Sequence, residues 1–188
     1  AAFMAATVGR LTGIPGVCVS TLGPGATNLA TGVGCAWLDR NPLIAITCNV
    51  ATSMIERRTQ MRIDHHALFR PLTKSTFPLR SGQLANSLSQ ALQLAGAEPP
   101  GPVHLDLPVD VALSDTNESP KGERPSSRLP DISGEVAKVV ADSLKRCKKP
   151  LVVTGLTLSR CRGGERLLAF IEKQNIPSVS TLQAKGHL

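Results

Sequence analysis

The chain alternates short continuous apolar runs with longer segments in which apolar residues recur every three or four positions. A continuous apolar run is typical of a strand buried on both faces of a parallel sheet, whereas the longer period is typical of an amphipathic helix. Strands are predicted on this basis at 17–19 and 43–47, and helices at 1–11, 26–38 and 83–97. Apolar and polar residues alternate at 102–107, which predicts a further strand there. Because the two kinds of element alternate, the pattern predicts an α/β domain with a parallel sheet flanked by helices.

The first predicted helix begins without a capping residue. It carries its large apolar side chains on one stripe, formed by Phe3, Val8 and Leu11. Helices in proteins usually begin at a Ser, Thr, Asp or Asn whose side chain accepts a backbone hydrogen bond. We therefore expect the native helix, and a strand before it, to begin upstream of Ala1. In the second helix, Gly32 and Gly34 favour close packing on the sheet.

Between the strands at 43–47 and 102–107 lies a long polar and basic segment, residues 49–74. A loop of this length inside a compact domain is usually functional or mobile. Residues 74–79 are predicted to form an outer strand, because Pro78 lacks the N–H that a central strand needs.

A second unit follows a stretch that is rich in Ser, Pro and charge. Exposed linkers have this composition. Helices are predicted at 132–146 and 164–174, and strands at 150–155 and 177–181. We therefore divide the chain into a first domain at 1–115, a linker at 116–131 and the start of a second α/β domain at 132–188, with the first truncated at its N-terminal end and the second at its C-terminal end.

The formal net charge of +7 is unevenly distributed. Residues 1–131 hold 11 Lys and Arg against 10 Asp and Glu, whereas residues 132–188 hold 10 against 4. With no Tyr, one Trp and four Phe, the chain offers little surface for base stacking, so nucleic acid is not an expected partner. The basic excess fits an anionic cofactor or an acidic neighbouring segment.

Other features of the composition favour a cytosolic globular protein that does not enter a membrane. No apolar run approaches the roughly 20 residues that a membrane-spanning helix needs. The five cysteines are scattered and contain no CxxC pair, so neither a disulfide framework nor a zinc site is predicted. We expect most of them to be small buried side chains.

One turn stands out as a candidate binding element. Gly23-Pro24-Gly25 connects the first strand to the second helix. Glycine permits backbone angles and close approaches that a side chain would prevent, and the first amides of a helix have no acceptor within it. The turn can therefore hold a polar ligand against bare backbone, although such a turn is also common as a simple connection.

Seven segments occur in a characteristic order along the chain. In the first domain they are Gly16-Val-Cys-Val-Ser with Gly23-Pro-Gly-Ala-Thr-Asn28, Asn41-Pro-Leu-Ile-Ala-Ile-Thr47, Gln60 to Asp64, Pro71-Leu-Thr-Lys74 and Gly101-Pro-Val-His-Leu-Asp-Leu-Pro-Val-Asp110. In the second they are Lys149-Pro-Leu-Val-Val-Thr-Gly155 and Ile176-Pro-Ser-Val-Ser-Thr-Leu-Gln-Ala-Lys-Gly186. Together they resemble the pyrimidine-binding and central domains of thiamine-diphosphate enzymes of the acetolactate synthase, glyoxylate carboligase and oxalyl-CoA decarboxylase kind, and the resemblance covers nearly the whole chain.

The resemblance implies a flavodoxin-like first domain, followed by the first part of a Rossmann-like domain. It implies carbon–carbon lyase or ligase chemistry on 2-keto acids or acyl-CoA derivatives, with thiamine diphosphate as the electron sink. The family places the diphosphate and Mg²⁺ site in a third domain of another subunit, so a homodimer or tetramer is implied. The family's activating glutamate precedes a segment like Ala1-Ala-Phe-Met-Ala, so we expect no catalytic acid in this chain, which should be inactive by itself.

Four residues are expected to contact the cofactor by the same resemblance. These are Gly23, Pro24 and Gly25, which should border the pyrimidine ring, and Asn28, which could orient nearby loop or cofactor groups. Gln60 matches a glutamine that points toward the reacting centre, where its amide could bind a substrate carboxylate. The open alternative for Gln60 is an exposed loop side chain.

The histidines are not favoured as catalytic or metal-binding groups. Adjacent residues such as His65 and His66 should not face one site from a helix, and no carboxylate spacing supports a metal. His104, on a predicted strand, is interpreted as a hydrogen-bonded structural residue.

Some family members bind FAD in the central domain, yet FAD is not favoured here. Thr157 stands where a glycine-rich turn would be expected and would crowd a pyrophosphate. Arg160 and Arg162 could meet an anionic ligand but are expected to be solvated. The alternative to an enzyme is a non-catalytic flavodoxin-like module for binding or subunit contact.

Overall fold

The computed structural model describes residues 1–119, 131–161 and 163–186, without the side chain of Cys161. The chain divides into two compact units, residues 1–127 and 128–188, and each is described by itself. Most of the predicted linker, residues 120–130, and Arg162 lie outside the described residues.

The first unit is a four-stranded parallel sheet with helices around it. Its elements are α1 (Ala2–Thr12), β1 (Gly16–Ser20), α2 (Pro24–Leu38), β2 (Leu43–Asn49), α3 (His65–Phe69), β3 (Thr76–Pro78), α4 (Leu84–Gly96), β4 (Pro102–Pro108) and α5 (Val109–Ala112). The strand order is β1-β2-β4-β3, and every pair is parallel. The predicted α/β class and the outer position of the strand at 74–79 are confirmed. The short helices α3 and α5 were not predicted.

Close backbone contacts hold α1 against α2 and the sheet. The buried face of α1 consists of small residues, Ala2, Ala5, Ala6 and Gly9. A Cβ on Gly9 would lie 2.0 Å from the carbonyl oxygen of Pro42, and one on Gly16 would lie 2.0 Å from that of Ala5. Because α1 packs through its small face, the predicted stripe of Phe3, Val8 and Leu11 is exposed.

The expectation that the first strand is buried on both faces is wrong. Cys18 is buried, but Val17 and Val19 are 57% and 56% exposed. They lie on the opposite face of β1, which α1 and α2 do not cover. An apolar run can identify a strand, but it does not show whether the neighbouring elements of the chain cover both of its faces.

The two central strands lie between two clusters of buried apolar residues. One cluster of apolar residues lies among α1, α2, β2 and Phe69, and another lies among β2, α4 and β4. In β4, six of the seven residues are buried, so the predicted alternation there is not observed. In α4, Ala91 and Ala95 lie on the buried face.

The cysteines are less buried than expected. Cys18 is buried, and this burial raises the pKa of its thiol to about 11. Cys35 and Cys48 are partly exposed, and Cys147 is exposed. The expectation that most are buried side chains is therefore wrong for the residues whose side chains are described.

The described residues of the second unit form two parallel strands and three α-helices. These are α6 (Gly134–Arg146), β5 (Val152–Thr154), α7 (Thr157–Cys161), α8 (Gly164–Gln174) and β6 (Ser178–Ser180), with β5 paired to β6. Only Thr154, Ile171 and Ala184 are buried among its described residues. The apolar face of α6, including Val136, Val139 and Val140, is exposed.

Gly32 and Gly34 in α2 provide a matched test of close packing. A Cβ on Gly32 would lie 2.5 Å from the Cβ of Ala2, whereas one on Gly34 would meet only Leu72 at 3.6 Å. The close contact of Gly32 is therefore with α1, whereas the sequence predicted a contact with the sheet. We expect Gly32→Ala to lower the free energy of unfolding by about 1–3 kcal/mol through overpacking. Gly34→Ala should raise it by up to about 1 kcal/mol because alanine favours a helix.

Urea unfolding followed by the fluorescence of Trp37, the sole tryptophan, measures both variants in the first unit. A Gly32→Ala variant at least as stable as Gly34→Ala would contradict this account of the α1–α2 contact.

Candidate functional site

The Gly23-Pro24-Gly25 turn joins the end of β1 to the start of α2. Gly23 has φ 60° and ψ −112°, a conformation that side chains disfavour. A Cβ on Gly23 would lie 2.2 Å from the carbonyl oxygen of Met61. Met61 itself has a φ of 65°, in the left-handed region that few residues other than glycine adopt. The loop after Gln60 is thus packed directly on the turn.

The predicted site residues differ in exposure. Gly23 is buried, Gly25 is half-buried, and Pro24, Asn28 and Gln60 are exposed. Gln60 precedes the residue that contacts Gly23, so the structure brings its segment to the turn. Its side chain is open to solvent, as the alternative interpretation expected.

Three buried polar atoms near this end of the sheet have no hydrogen-bond partner among the residues that the structure describes. They are Ser20 Oγ, at the end of β1, and Thr59 Oγ1 and Arg62 Nε, in the loop that carries Met61. Unpaired buried polar atoms are uncommon and often mark a place where a ligand or another segment binds. With a backbone-lined turn beside them, these residues fit a polar ring better than a purely apolar ligand.

A buried polar cluster lies behind the turn, around the carboxylate of Asp106. His65 Nδ1 is 2.9 Å from Asp106 Oδ1, and Asn49 Nδ2 donates to Asp106 Oδ2 at 2.7 Å. Thr47 Oγ1 lies 3.3 Å from Asp106 Oδ1 and 3.0 Å from His65 Nδ1. Three separate elements, β2, α3 and β4, therefore converge on one carboxylate.

His104 extends this cluster toward the surface. Its Nε2 is 2.8 Å from Thr47 Oγ1, and its Nδ1 is 2.6 Å from Thr76 Oγ1. The same Thr76 hydroxyl is 2.7 Å from His66 Nδ1. Phe69 stacks on the His104 ring with centroids 4.3 Å apart. The interpretation of His104 as a hydrogen-bonded structural residue is confirmed.

Burial and hydrogen bonding set the charges of this cluster. Burial lowers the pKa of His104 to about 3, despite the opposing effect of the Asp106 carboxylate. Burial would raise the pKa of Asp106, but hydrogen bonds from His65 and Asn49 outweigh it and lower that pKa. At neutral pH the cluster therefore contains an ionised aspartate and a neutral His104.

The expectation that adjacent histidines cannot share a site is wrong here. His65 Nδ1 is 2.9 Å from one oxygen of Asp106, and His66 Nε2 is 3.8 Å from the other. Both lie in the first turn of α3, a helix of five residues that Asp64 caps by accepting from the N–H of Ala67. A short helix end directed at a sheet does not obey the spacing rule for the surface of a long helix.

The sequence contains a signal for this cluster. The strand at 43–47 ends in Thr47, the strand at 102–107 carries Asp106 next to its last residue, and the parallel register places Thr47 beside Asp106. The carboxyl ends of parallel strands meet at one edge of a sheet, so such residues can be expected to cluster.

The described residues contain neither a metal site nor a membrane span. No group of three His, Cys, Asp or Glu side chains among them is arranged to hold a metal ion. No helix in the described ranges has the length and apolar character to cross a bilayer. In the second unit, Arg160 donates to Thr157 Oγ1 at 3.2 Å, within α7 itself.

A parallel α/β domain with a glycine turn at the carboxyl end of a strand is compatible with many ligands, and comparison with known proteins narrows the choice. The N-terminal TPP binding domain of thiamine pyrophosphate enzymes matches residues 1–68, which include the turn, the Met61 loop and His65. This match confirms the resemblance to thiamine-diphosphate-dependent enzymes.

Individual proteins that are similar to this chain point to a narrower group of enzymes than the family model does. The chain is 35% identical to a probable acetolactate synthase large subunit of Methanocaldococcus jannaschii, over 94% of this chain and 31% of the relative. It is 32% identical to the acetolactate synthase of Bacillus subtilis, over 100% of this chain and 33% of the relative. It is 34% identical to acetolactate synthase isozyme 1 large subunit of Escherichia coli, over 100% of this chain and 34% of the relative. The chain thus spans about a third of the length of these relatives.

His104 gives the first unit a specific dependence of stability on pH. In the folded state it stays neutral down to about pH 3, whereas in the unfolded chain it takes up a proton near its ordinary pKa of 6.5. Between these values the unfolded state binds more protons, so stability falls as the pH falls. We expect this one residue to contribute a loss approaching about 1.4 kcal/mol per pH unit between pH 6 and 4.5.

Urea unfolding monitored through Trp37 at several pH values measures this slope, and His104→Gln should reduce it. Equal slopes in the two proteins would contradict the assignment. NMR of the wild-type His104 ring gives the same answer without a variant, because the folded-state signal should not titrate above pH 4.5.

Proposed function

We propose that this chain forms the pyrimidine-binding wall of a thiamine-diphosphate-dependent carbon–carbon lyase or transferase acting on 2-keto acids or acyl-CoA derivatives, as in acetolactate synthases. The single observation that carries the proposal is the buried Gly23 turn packed on the Met61 loop, inside the segment that matches the TPP binding domain. Its position at the carboxyl end of a parallel strand supports the proposal, because open α/β sheets bind their ligands there.

The residues of this chain would bind and orient the cofactor. Thiamine diphosphate supplies an electron sink for carbanion chemistry when it is bound. The backbone of Gly23, Pro24 and Gly25 would lie against the pyrimidine ring, and Asn28 would orient nearby groups. Ser20 Oγ, which has no partner, is available as a further polar contact. Gln60 would bind a substrate carboxylate or a developing oxyanion from the rim of the site.

The remaining parts of the site are proposed to lie in other domains. The activating glutamate, the diphosphate site and Mg²⁺ would come from segments of the full-length protein beyond this chain, with the diphosphate domain supplied by a second subunit of a cytosolic homodimer or tetramer. The exposed apolar side chains on β1 and α6 support such covering segments. Within this proposal, residues 1–115 form the pyrimidine domain and 132–188 begin the central domain, for which FAD is not favoured.

The alternative is a non-catalytic binding or interface module, and one observation favours it. An open apolar groove of about 420 Å³ lies between α1 and β1, lined by Met4, Val8, Val17 and Val19 among others. Such a groove fits a protein segment as its occupant. A module of this kind would bind a partner chain without binding thiamine diphosphate, so the titration below separates the two functions.

Calorimetric titration of the full-length protein with thiamine diphosphate and Mg²⁺ tests the proposal. We expect saturable binding and turnover of a 2-keto acid, whereas the 188-residue chain by itself should show neither. Gly23→Ala should weaken cofactor binding at least about tenfold, because the added Cβ displaces the Met61 loop from the turn.

Gly82→Ala is the matched control for Gly23→Ala. Gly82 also has a positive φ, of 77°, but a Cβ there meets nothing within 4 Å. An alanine at Gly82 therefore also has a positive φ but makes no clash, and it should leave cofactor affinity unchanged. The proposal fails if the full-length wild type binds no thiamine diphosphate, or if both variants bind as it does.

Gln60 allows the role of the rim to be tested separately. If its amide binds the substrate carboxylate, Gln60→Ala should raise KM for the 2-keto acid or lower kcat by about tenfold or more, and leave cofactor affinity unchanged. Steady-state kinetics of the full-length enzyme distinguishes the two roles. Wild-type kinetics in Gln60→Ala would instead assign Gln60 to an exposed loop without a function in the reaction.

A further inference from the structure

The buried Asp106 cluster and the glycine turn are joined by one hydrogen bond. The backbone N–H of Gly23 donates to His65 Nε2 at 3.3 Å. Gly23 is buried and stands at the N-cap of α2, so its N–H has no acceptor within that helix. The imidazole of His65, which is buried as well, is the partner that satisfies this amide.

This hydrogen bond determines where the proton of His65 lies. A nitrogen that accepts from an amide N–H must be unprotonated, so Nε2 has no hydrogen. The hydrogen of the neutral ring is therefore on Nδ1, which donates to Asp106 Oδ1 at 2.9 Å. The carboxylate thus holds the ring in the tautomer that can accept from Gly23.

The conformation of the turn needs such support. Gly23 combines an unusual backbone conformation with a carbonyl contact from Met61, a residue that also has a positive φ. Unusual backbone conformations persist only where the surrounding structure fixes them. Without an acceptor at His65 Nε2, the Gly23 amide would be buried without a partner, which favours a rearranged turn.

We propose that His65 is a positioning residue, whose Nε2, oriented through Nδ1–H and Asp106, holds the Gly23–Gly25 turn in the conformation that receives the ligand. The identity of that ligand as thiamine diphosphate rests on the function proposed above. The hydrogen bond and the tautomer do not depend on it. His65 acts through Gly23 and does not itself contact the reacting atoms.

Two substitutions separate the two ends of the His65 ring. In His65→Gln, the amide oxygen can reach the position of Nε2, which keeps an acceptor for Gly23 and loses the donor to Asp106. In His65→Asn, the amide nitrogen can occupy the position of Nδ1, which keeps the donor to Asp106 and loses the acceptor for Gly23. Both replace the ring with a neutral amide, so they are matched controls for each other.

The first measurement is ¹⁵N NMR of the 188-residue chain. The wild type should show His65 as the Nδ1–H tautomer, with its Nε2 unprotonated, and a hydrogen-bonded Gly23 amide that exchanges slowly with solvent. Protection of the Gly23 amide should persist in His65→Gln and be lost in His65→Asn. An Nε2–H tautomer in the wild type overturns the proposal, even if neither variant folds.

The second measurement is thiamine diphosphate affinity in the full-length protein. His65→Asn should raise Kd at least about tenfold, and His65→Gln should remain within about threefold of the wild type. Equal Kd values for His65→Asn and the wild type would overturn the positioning role. Absence of binding by the wild type would instead overturn the proposed function, and the NMR measurement would still decide whether His65 fixes the turn.

Discussion

The arrangement at the carboxyl end of the first sheet depends on the hydrogen bonds to the ionised carboxylate of Asp106. A buried charge is costly unless it is paired and hydrogen-bonded, and here the partners come from the neighbouring strand β2 and from α3. Asp106 thereby holds α3, which lies in the long polar segment after β2, against the sheet. His65, which is hydrogen-bonded to the same carboxylate, also accepts from the N–H of Gly23. Gly23 follows β1, the strand at one edge of the sheet.

The glycine turn is constrained from within the protein as well as by any ligand. The missing side chain of Gly23 makes room for the carbonyl of Met61, so packing of the chain on itself already requires glycine there. The surface offered to a ligand is the remaining side of the turn, with Pro24 exposed and Gly25 half-buried. The requirement for glycine at Gly23 therefore comes from packing within the chain and does not depend on the ligand that we propose for the turn.

Sequence periodicity predicted the helices and strands well because their apolar patterns are local. It did not predict the contact between His65 and Asp106, because that contact depends on strand register and on a five-residue helix that begins at His65. It was also wrong about β1, since the exposure of Val17 and Val19 depends on which segment covers that face. The glycine turn was found from sequence, whereas the hydrogen bond that supports it required the folded arrangement.

Many residues in the motifs that resemble the thiamine-diphosphate enzymes maintain the scaffold. Lys74 Nζ donates to the carbonyl of Ala97 at 2.8 Å and to that of Leu94, where the last carbonyls of α4 have no partner within the helix. Thr73 Oγ1 donates to the carbonyl of Phe69, and Asp64 caps α3. Such motifs identify a family because they encode how its domain is built. They carry less information about the substrate, because the hydrogen bonds that they make here lie within the scaffold.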